Sequence, residues 1–276
     1  MKGKHRLLCT LCTAFLLAYI PGVTAQTAVE HLCKAEPLHT ITANFNNPSD
    51  VVAGRNGRVY VLDGVNSKVK VFNQNGDFLF SFGERGTGKG AFTFPLGIGI
   101  DRADRIFIAD SGNHRVQIFS PEGNYLSHFS TETTRKQIKP SDPTDVVVDS
   151  RAEKCYSIDN DNHWIFVYDL KNGVPVSTYG AMGMEKGEFR FPFLLDIDQE
   201  GNLYAVEVIN TRVTVLAPDG KHLRTIGDWG VDKGEFYRPK GVAVDAQKRV
   251  FVSDSYLGVI QVFDPEGNVL CALEDV

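Results

Sequence analysis

The sequence is poor in cysteine, with 5 in 276 residues. Two of them, Cys9 and Cys12, lie in an apolar N-terminal run, which leaves Cys33, Cys155 and Cys271 scattered over the rest of the chain. Thiols this sparse form neither the disulfide framework of a small secreted domain nor the Cys/His cluster of a zinc site. Because their number is odd, at least one thiol stays free or pairs with another chain.

An excess of positive charge is also absent. The chain has 29 Lys and Arg against 34 Asp and Glu, a net charge of −5, and no cluster of basic residues that could form a basic face. Binding to the phosphate backbone of a nucleic acid depends on such a face. The composition therefore excludes nucleic acid as a partner.

Long hydrophobic runs are missing except at the N-terminus. A basic stretch at residues 2–6 precedes the apolar run 7–20, which is too short for a comfortable membrane span. Pro21 and Gly22 end the run, and small residues follow up to Ala25. This arrangement is typical of a signal peptide. We expect cleavage of residues 1–25, a mature protein that begins at Gln26 without a membrane anchor, and export to the periplasm or the extracellular space.

What the sequence does have is an internal repeat. Five prolines recur every 47 to 49 residues, namely Pro48, Pro95, Pro143, Pro192 and Pro239. Each opens a short apolar run, which is followed by a segment with an aromatic residue second and an acid fifth. A third segment has apolar residues at alternate positions, and a turn that ends in Gly leads to a fourth, more polar segment.

Four short strands per repeat, joined by tight turns, predict an all-β fold, a β-propeller of four-stranded antiparallel blades. The mature chain divides into an N-terminal segment, residues 26–37, and the propeller, residues 38–276. Residues 38–45 resemble an orphan outer strand ahead of five complete blades. Two alternatives remain open: a six-bladed ring that lacks most of one blade, and a closed five-bladed ring. An open ring would expose apolar blade faces and self-associate.

The stretch DSGNHRVQIF at residues 110–119, together with residues 83–95 and 241–245, closely resembles the NHL repeat. The resemblance extends over residues 48–276. NHL propellers include RNA- or protein-binding modules of tripartite-motif ligases, secreted bacterial proteins, and the scaffold of peptidyl-hydroxyglycine lyase. Because one fold carries several functions, the resemblance implies the fold more strongly than the activity.

Two of these functions need residues that can be checked. The ligases carry a zinc-binding RING region, and this sequence has no Cys/His cluster to form one. The lyase holds zinc through histidines that converge from several blades. Here His114 and His163 occupy equivalent turns after the second segment, whereas His128 and His222 fall in fourth segments near the rim. These positions do not converge, so we expect no metal and no cofactor.

The acids that close the second segments form a repeating set that could suggest calcium: Asp63, Asp110, Asp159, Glu207 and Asp254. In three repeats a base follows five residues later. The expected ion pairs are Asp63–Lys68, Asp110–Arg115 and Glu207–Arg212. Such exposed pairs contribute roughly 0 to 1 kcal/mol each. Because a calcium site needs several oxygens on one short loop, the pattern favours a structural role.

Function is expected where one repeat departs from the others. Asp196 places a carboxylate at an inner-strand position that is small or aliphatic elsewhere. It should lie partly buried near the central channel, and its pKa should be raised unless the carboxylate is hydrogen-bonded. Trp164, after His163, replaces a base and is expected to be an exposed binding anchor. A polar loop at residues 130–142 replaces a Gly-rich link, and Tyr256 departs from the usual turn. Local repacking is the alternative for each.

These observations favour an exported, non-catalytic binding or scaffolding propeller that uses the turns and links of one face and the mouth of the channel. A protein or a small molecule is the expected ligand. The candidate binding residues are Trp164, His163, Asp196, Asp145, Asp50, Arg115 and Tyr256. The alternative is a metal-assisted lyase or hydrolase that uses the channel carboxylates Asp50, Asp145 and Asp196. The sequence identifies no Ser-His-Asp or Cys-His arrangement.

Overall fold

A computed structural model of the chain is an all-β propeller of five four-stranded antiparallel blades in a ring. It describes Cys33 and residues 35–36, 40–131 and 140–274, and the predicted signal peptide lies outside this part. The predicted fold class is confirmed. Within the described residues, no helix has the length and apolar character needed to cross a membrane.

The five blades follow one another along the chain, and each first strand begins at the proline of its repeat. Blade 1 contains β1 (Pro48–Ala53), β2 (Val59–Asp63), β3 (Lys68–Phe72) and β4 (Phe78–Phe82). A parallel pair, β5 (Glu84–Arg85) and β6 (Ala91–Phe92), lies in the next link. Blade 2 contains β7 (Pro95–Ile100), β8 (Ile106–Asp110), β9 (Arg115–Phe119) and β10 (Tyr125–Ser130). Blade 3 contains β11 (Pro143–Asp149), β12 (Lys154–Asp159), β13 (Trp164–Asp169) and β14 (Pro175–Tyr179). Blade 4 contains β15 (Pro192–Ile197), β16 (Leu203–Glu207), β17 (Arg212–Leu216) and β18 (His222–Ile226). Blade 5 contains β19 (Pro239–Val244), β20 (Val250–Asp254), β21 (Val259–Phe263) and β22 (Val269–Glu274).

The core lies between neighbouring blades rather than at the centre of the ring. Side chains alternate between the two faces of a strand, so a blade with an apolar face on each side can pack against two neighbours. Tyr60 and Leu62 of β2, for example, pack against Ile106 and Ile108 of β8. Similar clusters join blades 2 and 3, blades 3 and 4, and blades 4 and 5.

The blade topology places two kinds of loop at one end of the ring. Four antiparallel strands bring the chain back to the end where the blade began, so the links between blades and the turns between second and third strands share that end. We call it the link face. The turns at the opposite end use glycine where the backbone takes a positive φ, as at Gly76 (φ 85°) and Gly123 (φ 82°).

The N-terminal segment is fixed to the last blade by a disulfide between Cys33 and Cys271. Cys155 is the free, buried cysteine of the described residues, which agrees with the expectation that one thiol has no partner in the chain. The orphan outer strand predicted at residues 38–45 is not formed in its described part, residues 40–45, which lie in irregular backbone.

Candidate functional site

Every second strand ends in a buried acid that holds the link in front of its own blade. The acid accepts a backbone N–H from that link; Asn46 donates to Asp63 at 2.7 Å, and Thr93 donates to Asp110 at 2.7 Å. The equivalent bonds reach Asp159, Glu207 and Asp254. No three potential metal-ligating side chains cluster anywhere in the described part of the chain. This geometry gives the acids a structural role.

Two of the three expected ion pairs are present. Arg115 pairs with Asp110 at 2.8 Å and Arg212 with Glu207 at 2.7 Å. The prediction of an Asp63–Lys68 pair is wrong, because Asp63 pairs with Lys70 at 2.7 Å. Residues two apart on a strand share a face, so Lys70 reaches the acid from the same side of β3 as Lys68 would. The expectation that the pairs are exposed is also wrong, since the acid side chains are 0% exposed and their partners 11–16%.

Arg115, one of the candidate binding residues, is tied into this framework. Its Nη2 atom donates to the carbonyls of Gly88 at 2.7 Å and Ala91 at 2.9 Å, both in the preceding link. A guanidinium provides several donors in a fixed plane, which suits one side chain that must fix a turn and a link together. Arg115 therefore connects turn and link.

Exposed large apolar side chains are concentrated at two places among the described residues. On the outer strands and the turn before one of them lie Phe78, Leu79, Leu126, Val174, Val176 and Leu223. The remaining ones lie on the link face, and eight of these belong to blades 4 and 5. We call the eight the apolar arc: Met182, Met184, Phe191, Ile209, Trp229, Val231, Tyr237 and Tyr256. A concentration of exposed apolar side chains on one face of a protein is typical of an interaction site.

In blade 5 the arc is a cluster of aromatic rings. Tyr237 and Tyr256 stack with their centroids 4.0 Å apart, and Trp229 lies 6.4 Å from Tyr237. Asp254 fixes both tyrosines, because its carboxylate accepts the N–H of Tyr237 at 2.7 Å and that of Tyr256 at 2.9 Å. Trp229 is 68% exposed and Tyr256 63%. Rigid backbone and exposed rings together suit the recognition of a partner.

In blade 4 the arc contains a strained phenylalanine. Phe191 precedes Pro192 with a φ of 52°, a left-handed conformation that is rare for bulky residues. His163, which is buried, supports it: the Phe191 N–H donates to Nδ1 of His163 at 3.1 Å, and the two rings meet edge-to-face at 4.7 Å. In the neutral imidazole the proton is therefore on Nε2. The residue before the proline has the same left-handed conformation in blades 1 and 2, at Asn47 (φ 56°) and Phe94 (φ 47°), so this conformation belongs to the repeat.

The expectation that Trp164 is exposed is wrong. Its side chain is 6% exposed and packs against Phe166, at 5.6 Å between ring centroids, in the cluster between blades 2 and 3. At the equivalent position Arg115 and Arg212 are also largely covered, at 11% and 16%, whereas Lys68 is exposed. An arginine can extend along this position to reach the link, whereas the rigid indole fills the space beside the sheet. Trp164 is a core residue.

The three inner-strand carboxylates line the central channel, a cavity of about 350 Å³. Asp50, Asp145 and Asp196 stand there among mainly aliphatic side chains, and no basic residue is found among the described residues that line it. Burial raises the pKa of Asp196 to about 6, although its carboxylate accepts hydrogen bonds from the N–H groups of Ile197 and Val244. Burial and the nearby charge of Asp50 raise the pKa of Asp145 well above its ordinary value.

These carboxylates already have partners in the backbone. One oxygen of Asp145 accepts the N–H of Val146, and the other accepts that of Leu195 in the next blade at 2.7 Å. Asp196 bonds in the same way to Val244, at 2.6 Å. These bonds join the inner strand of blade 3 to that of blade 4, and the inner strand of blade 4 to that of blade 5. Each oxygen of Asp145 therefore already accepts one backbone hydrogen bond, which gives this carboxylate a structural role in the ring.

The link-face aromatics outside Tyr256 were not predicted from the sequence. Trp229, Tyr237 and Phe191 lie in Gly-rich links of the predicted binding face, but none of the three is among the predicted binding residues. The sequence contains a signal for them. The link position of Trp229 is occupied by Arg85 in the first link and by Met182 in the third. An apolar or aromatic residue at a link position that is polar in another repeat indicates a surface under a constraint other than folding.

Comparison with known proteins supports the fold. Residues 37–138, just over a third of the chain, match a family described as a 6-bladed beta-propeller. No curated protein matches the sequence. The chain is a β-propeller, and the described part has five blades where the description of that family gives six.

Solved structures give the same result at low sequence identity. A streptogramin B lyase superposes with a TM-score of 0.60 at 13% identity, covering 82% of this chain and 68% of the lyase. An inactive virginiamycin B lyase from Staphylococcus aureus, solved with quinupristin, gives 0.62 at 13% identity, covering 83% and 70%. A protein of unknown function from Bacteroides caccae gives 0.53 at 13% identity, covering 75% and 69%. At this identity the likeness concerns the fold alone.

Proposed function

We propose that the protein is an exported, non-catalytic binding propeller of NHL type that holds a protein partner on its link face, through the apolar arc. The observation that carries this proposal is the one-sided distribution of exposed apolar side chains. Apart from the outer strands and the turn that holds Val174, the described loops at the opposite end of the ring carry no large exposed apolar residue.

A protein partner fits the composition of the arc. Protein interfaces are enriched in Trp, Tyr, Phe and Met, and binding energy concentrates in a few aromatic anchors. The arc contains each of these types, with Trp229 and Tyr256 as its most exposed aromatic rings. Because Asp254 fixes the backbone of Tyr237 and Tyr256, these rings lose little conformational freedom when a partner binds.

Export is supported by two independent features. The N-terminal residues have the pattern of a signal peptide, with a basic stretch, an apolar run and a small residue at position 25. The Cys33–Cys271 disulfide is a kind of bond that persists in oxidising compartments. Mass spectrometry of the secreted form should find Gln26 at the N-terminus. Protein that begins at Met1 would contradict export by cleavage.

The alternative function is a metal-assisted lyase or hydrolase at the channel. The channel carboxylates and the similarity of fold to streptogramin B lyase favour it. Against it, both oxygens of Asp145 accept backbone N–H bonds. Elemental analysis of the purified protein separates the two functions. Zinc or calcium at one ion per chain would support the enzyme, and loss of that metal in an Asp145→Ala variant would place it in the channel.

Site-specific photocrosslinking tests the binding proposal. A photoreactive phenylalanine analogue replaces Tyr256 in the arc or, as a control, Leu126, which is 50% exposed on an outer strand. Position 256 should crosslink to one protein of the exported fraction that position 126 does not reach. With that protein purified, Trp229→Ala should weaken binding about tenfold or more, as expected for a central aromatic anchor, and Leu126→Ala should not. Equal losses for both variants would refute the apolar arc as the binding surface.

A further inference from the structure

Blades 1 and 5 close the ring in an unusual way. Successive inner strands pack directly on one another, from β1 through β7, β11 and β15 to β19. Between β19 and β1, the described residues make no comparable contact. Each of these two blades therefore has a face that no neighbouring blade covers in the usual manner.

Those two faces are nevertheless buried. On blade 5, alternation turns Phe251, Val262 and Leu273 away from blade 4, yet they are 8%, 1% and 6% exposed. On blade 1, Phe72 lies on the face away from blade 2 and is 1% exposed. Apolar side chains at such positions need a cover, because exposed faces of this kind drive association.

The N-terminal segment covers the face of blade 5. Cys33 and Ala35 pack into the cluster of Phe251, Val262 and Leu273. The disulfide joins Cys33 to Cys271 across 238 residues of sequence, and the Cys33 N–H donates to the Ala272 carbonyl at 3.1 Å. The segment is thus attached to the outer strand of the last blade by a covalent bond and a backbone hydrogen bond.

Twelve residues later the same segment covers the face of blade 1. The ring of Phe45 lies 5.9 Å from that of Phe72, and Lys70 Nζ stands 4.7 Å above the Phe45 ring. Lys70 also donates to the Asn44 carbonyl and pairs with Asp63. The Asn46 N–H donates to Asp63. Asp63 and Lys70 therefore hold the segment against blade 1.

We infer that the N-terminal segment, through its described residues Cys33, 35–36 and 40–46, replaces a sixth blade and that its disulfide is a redox-sensitive latch. Attack by a dithiol reductant on the disulfide forms a mixed disulfide and then an internal disulfide of the reductant. Cys33 and Cys271 become thiols by gaining two electrons and two protons, and the reductant loses them. Cys33 is the more exposed of the pair, so the attack comes from its side. This inference is independent of the proposed binding partner.

Release of the latch has a defined consequence. Without the covalent bond, the described contacts that hold the Cys33 end are one backbone hydrogen bond and the packing of Cys33 and Ala35. It should dissociate and expose Phe251 and Leu273 of blade 5. We expect the oxidised protein to be a monomer and the reduced protein to bind an apolar dye and to self-associate through the uncovered faces.

The experiment uses the full mature chain with and without dithiothreitol. Peptide mapping under non-reducing conditions should find Cys33 joined to Cys271. Reduction should lower the Tm by roughly 10 °C, since the bond closes a very long loop, and should increase dye fluorescence and the mass measured by light scattering. Reoxidation should reverse all three changes. Cys155→Ser, at the buried free thiol, should respond to dithiothreitol as the wild type does.

Two variants separate the latch from a general loss of folding. Cys33→Ser should show the reduced behaviour without dithiothreitol and no further response to it. Phe45→Ala leaves the disulfide intact and loosens only the blade 1 end, so it should bind dye but keep its response to the reductant. The inference is overturned if the reduced wild type remains a monomer with unchanged dye binding and Tm, or if mapping finds Cys33 and Cys271 as thiols in exported protein.

Discussion

The carboxylate of Asp145 accepts the backbone N–H of Leu195 at 2.7 Å, although 50 residues separate the two in sequence. Asp50 forms the equivalent bond from blade 1 to blade 2, and Asp196 forms it from blade 4 to blade 5. Each bond joins the inner strands of two blades that share no backbone hydrogen-bond ladder. These residues therefore connect blades where packing is otherwise the main interaction.

Removal of one such connection should destabilise the ring. Asp145→Ala leaves the buried N–H of Leu195 without its acceptor, which costs about 1–3 kcal/mol. Urea unfolding at pH 7 should show a corresponding loss of free energy of unfolding. Glu200→Ala is the control, because Glu200 is 63% exposed and pairs with Lys248 at the surface, where the loss should be below about 1 kcal/mol. Equal losses for both would contradict the connecting role.

The stability of the protein should depend on pH through Asp196. Its pKa of about 6 in the folded state lies above the ordinary value of 3.8, because burial disfavours the charged form. The folded state then binds the proton more tightly than the unfolded chain. The contribution of this residue to stability is therefore fully present below the unfolded pKa of 3.8 and is lost as the pH rises through 6.

Asp196→Val isolates this effect, since Val147 occupies the equivalent position in blade 3. Between pH 4.5 and pH 7.5, the wild type should lose about 2 kcal/mol of unfolding free energy relative to the variant. Urea titrations at several pH values measure the difference. Parallel curves for the two proteins would show that Asp196 titrates in the same way in both states.

The repeat made the fold predictable from the sequence. Proline spacing and the alternation within strands recur five times. An error in the prediction of one strand is therefore corrected by the other repeats, and the strand order follows from chain order. The disulfide was not predictable, because Cys33 and Cys271 come together only when the ring closes. The connecting bonds of Asp145 and Asp196 were missed for the same reason, since the acceptor and the donor belong to different repeats.

The candidate site was only partly predictable. Tyr256 was identified as a departure from the turn pattern, and the structure places it on the exposed link face. Trp164 was a departure of the same kind, yet it is buried. A departure in sequence shows that a position is different, whereas its exposure depends on the neighbouring blade. That neighbour is set by ring geometry rather than by the local pattern.

Arg212 offers a test of the bond between turn and link beside the apolar arc. Its guanidinium donates to Glu207 at 2.7 Å and to the carbonyls of Met184 at 2.8 Å and Glu188 at 2.9 Å. Arg212→Lys keeps the charge but not the planar set of donors. We expect a loss of about 1–2 kcal/mol in urea unfolding. The exposed Arg102→Lys is the control and should have no measurable effect.

The two tryptophans of the chain should respond in opposite ways to truncation. Trp164→Ala removes a large side chain that is 6% exposed and leaves a cavity between blades 2 and 3, at a cost of about 3–5 kcal/mol. Trp229→Ala removes a side chain that is 68% exposed, so the free energy of unfolding should change by less than about 0.5 kcal/mol. Urea unfolding followed by circular dichroism measures both losses without relying on either indole.

Fluorescence of the same two variants assigns each tryptophan to its environment. Trp229→Ala retains the buried indole and should emit at short wavelength with little quenching by iodide, because the quencher cannot reach Trp164. Trp164→Ala, examined where it remains folded, should emit at long wavelength and be quenched readily. If Trp164→Ala is instead as stable as the wild type and the Trp229→Ala protein is strongly quenched, Trp164 is on the surface. The packing between blades 2 and 3 would then be wrong, and Trp164 would return as a candidate for partner binding.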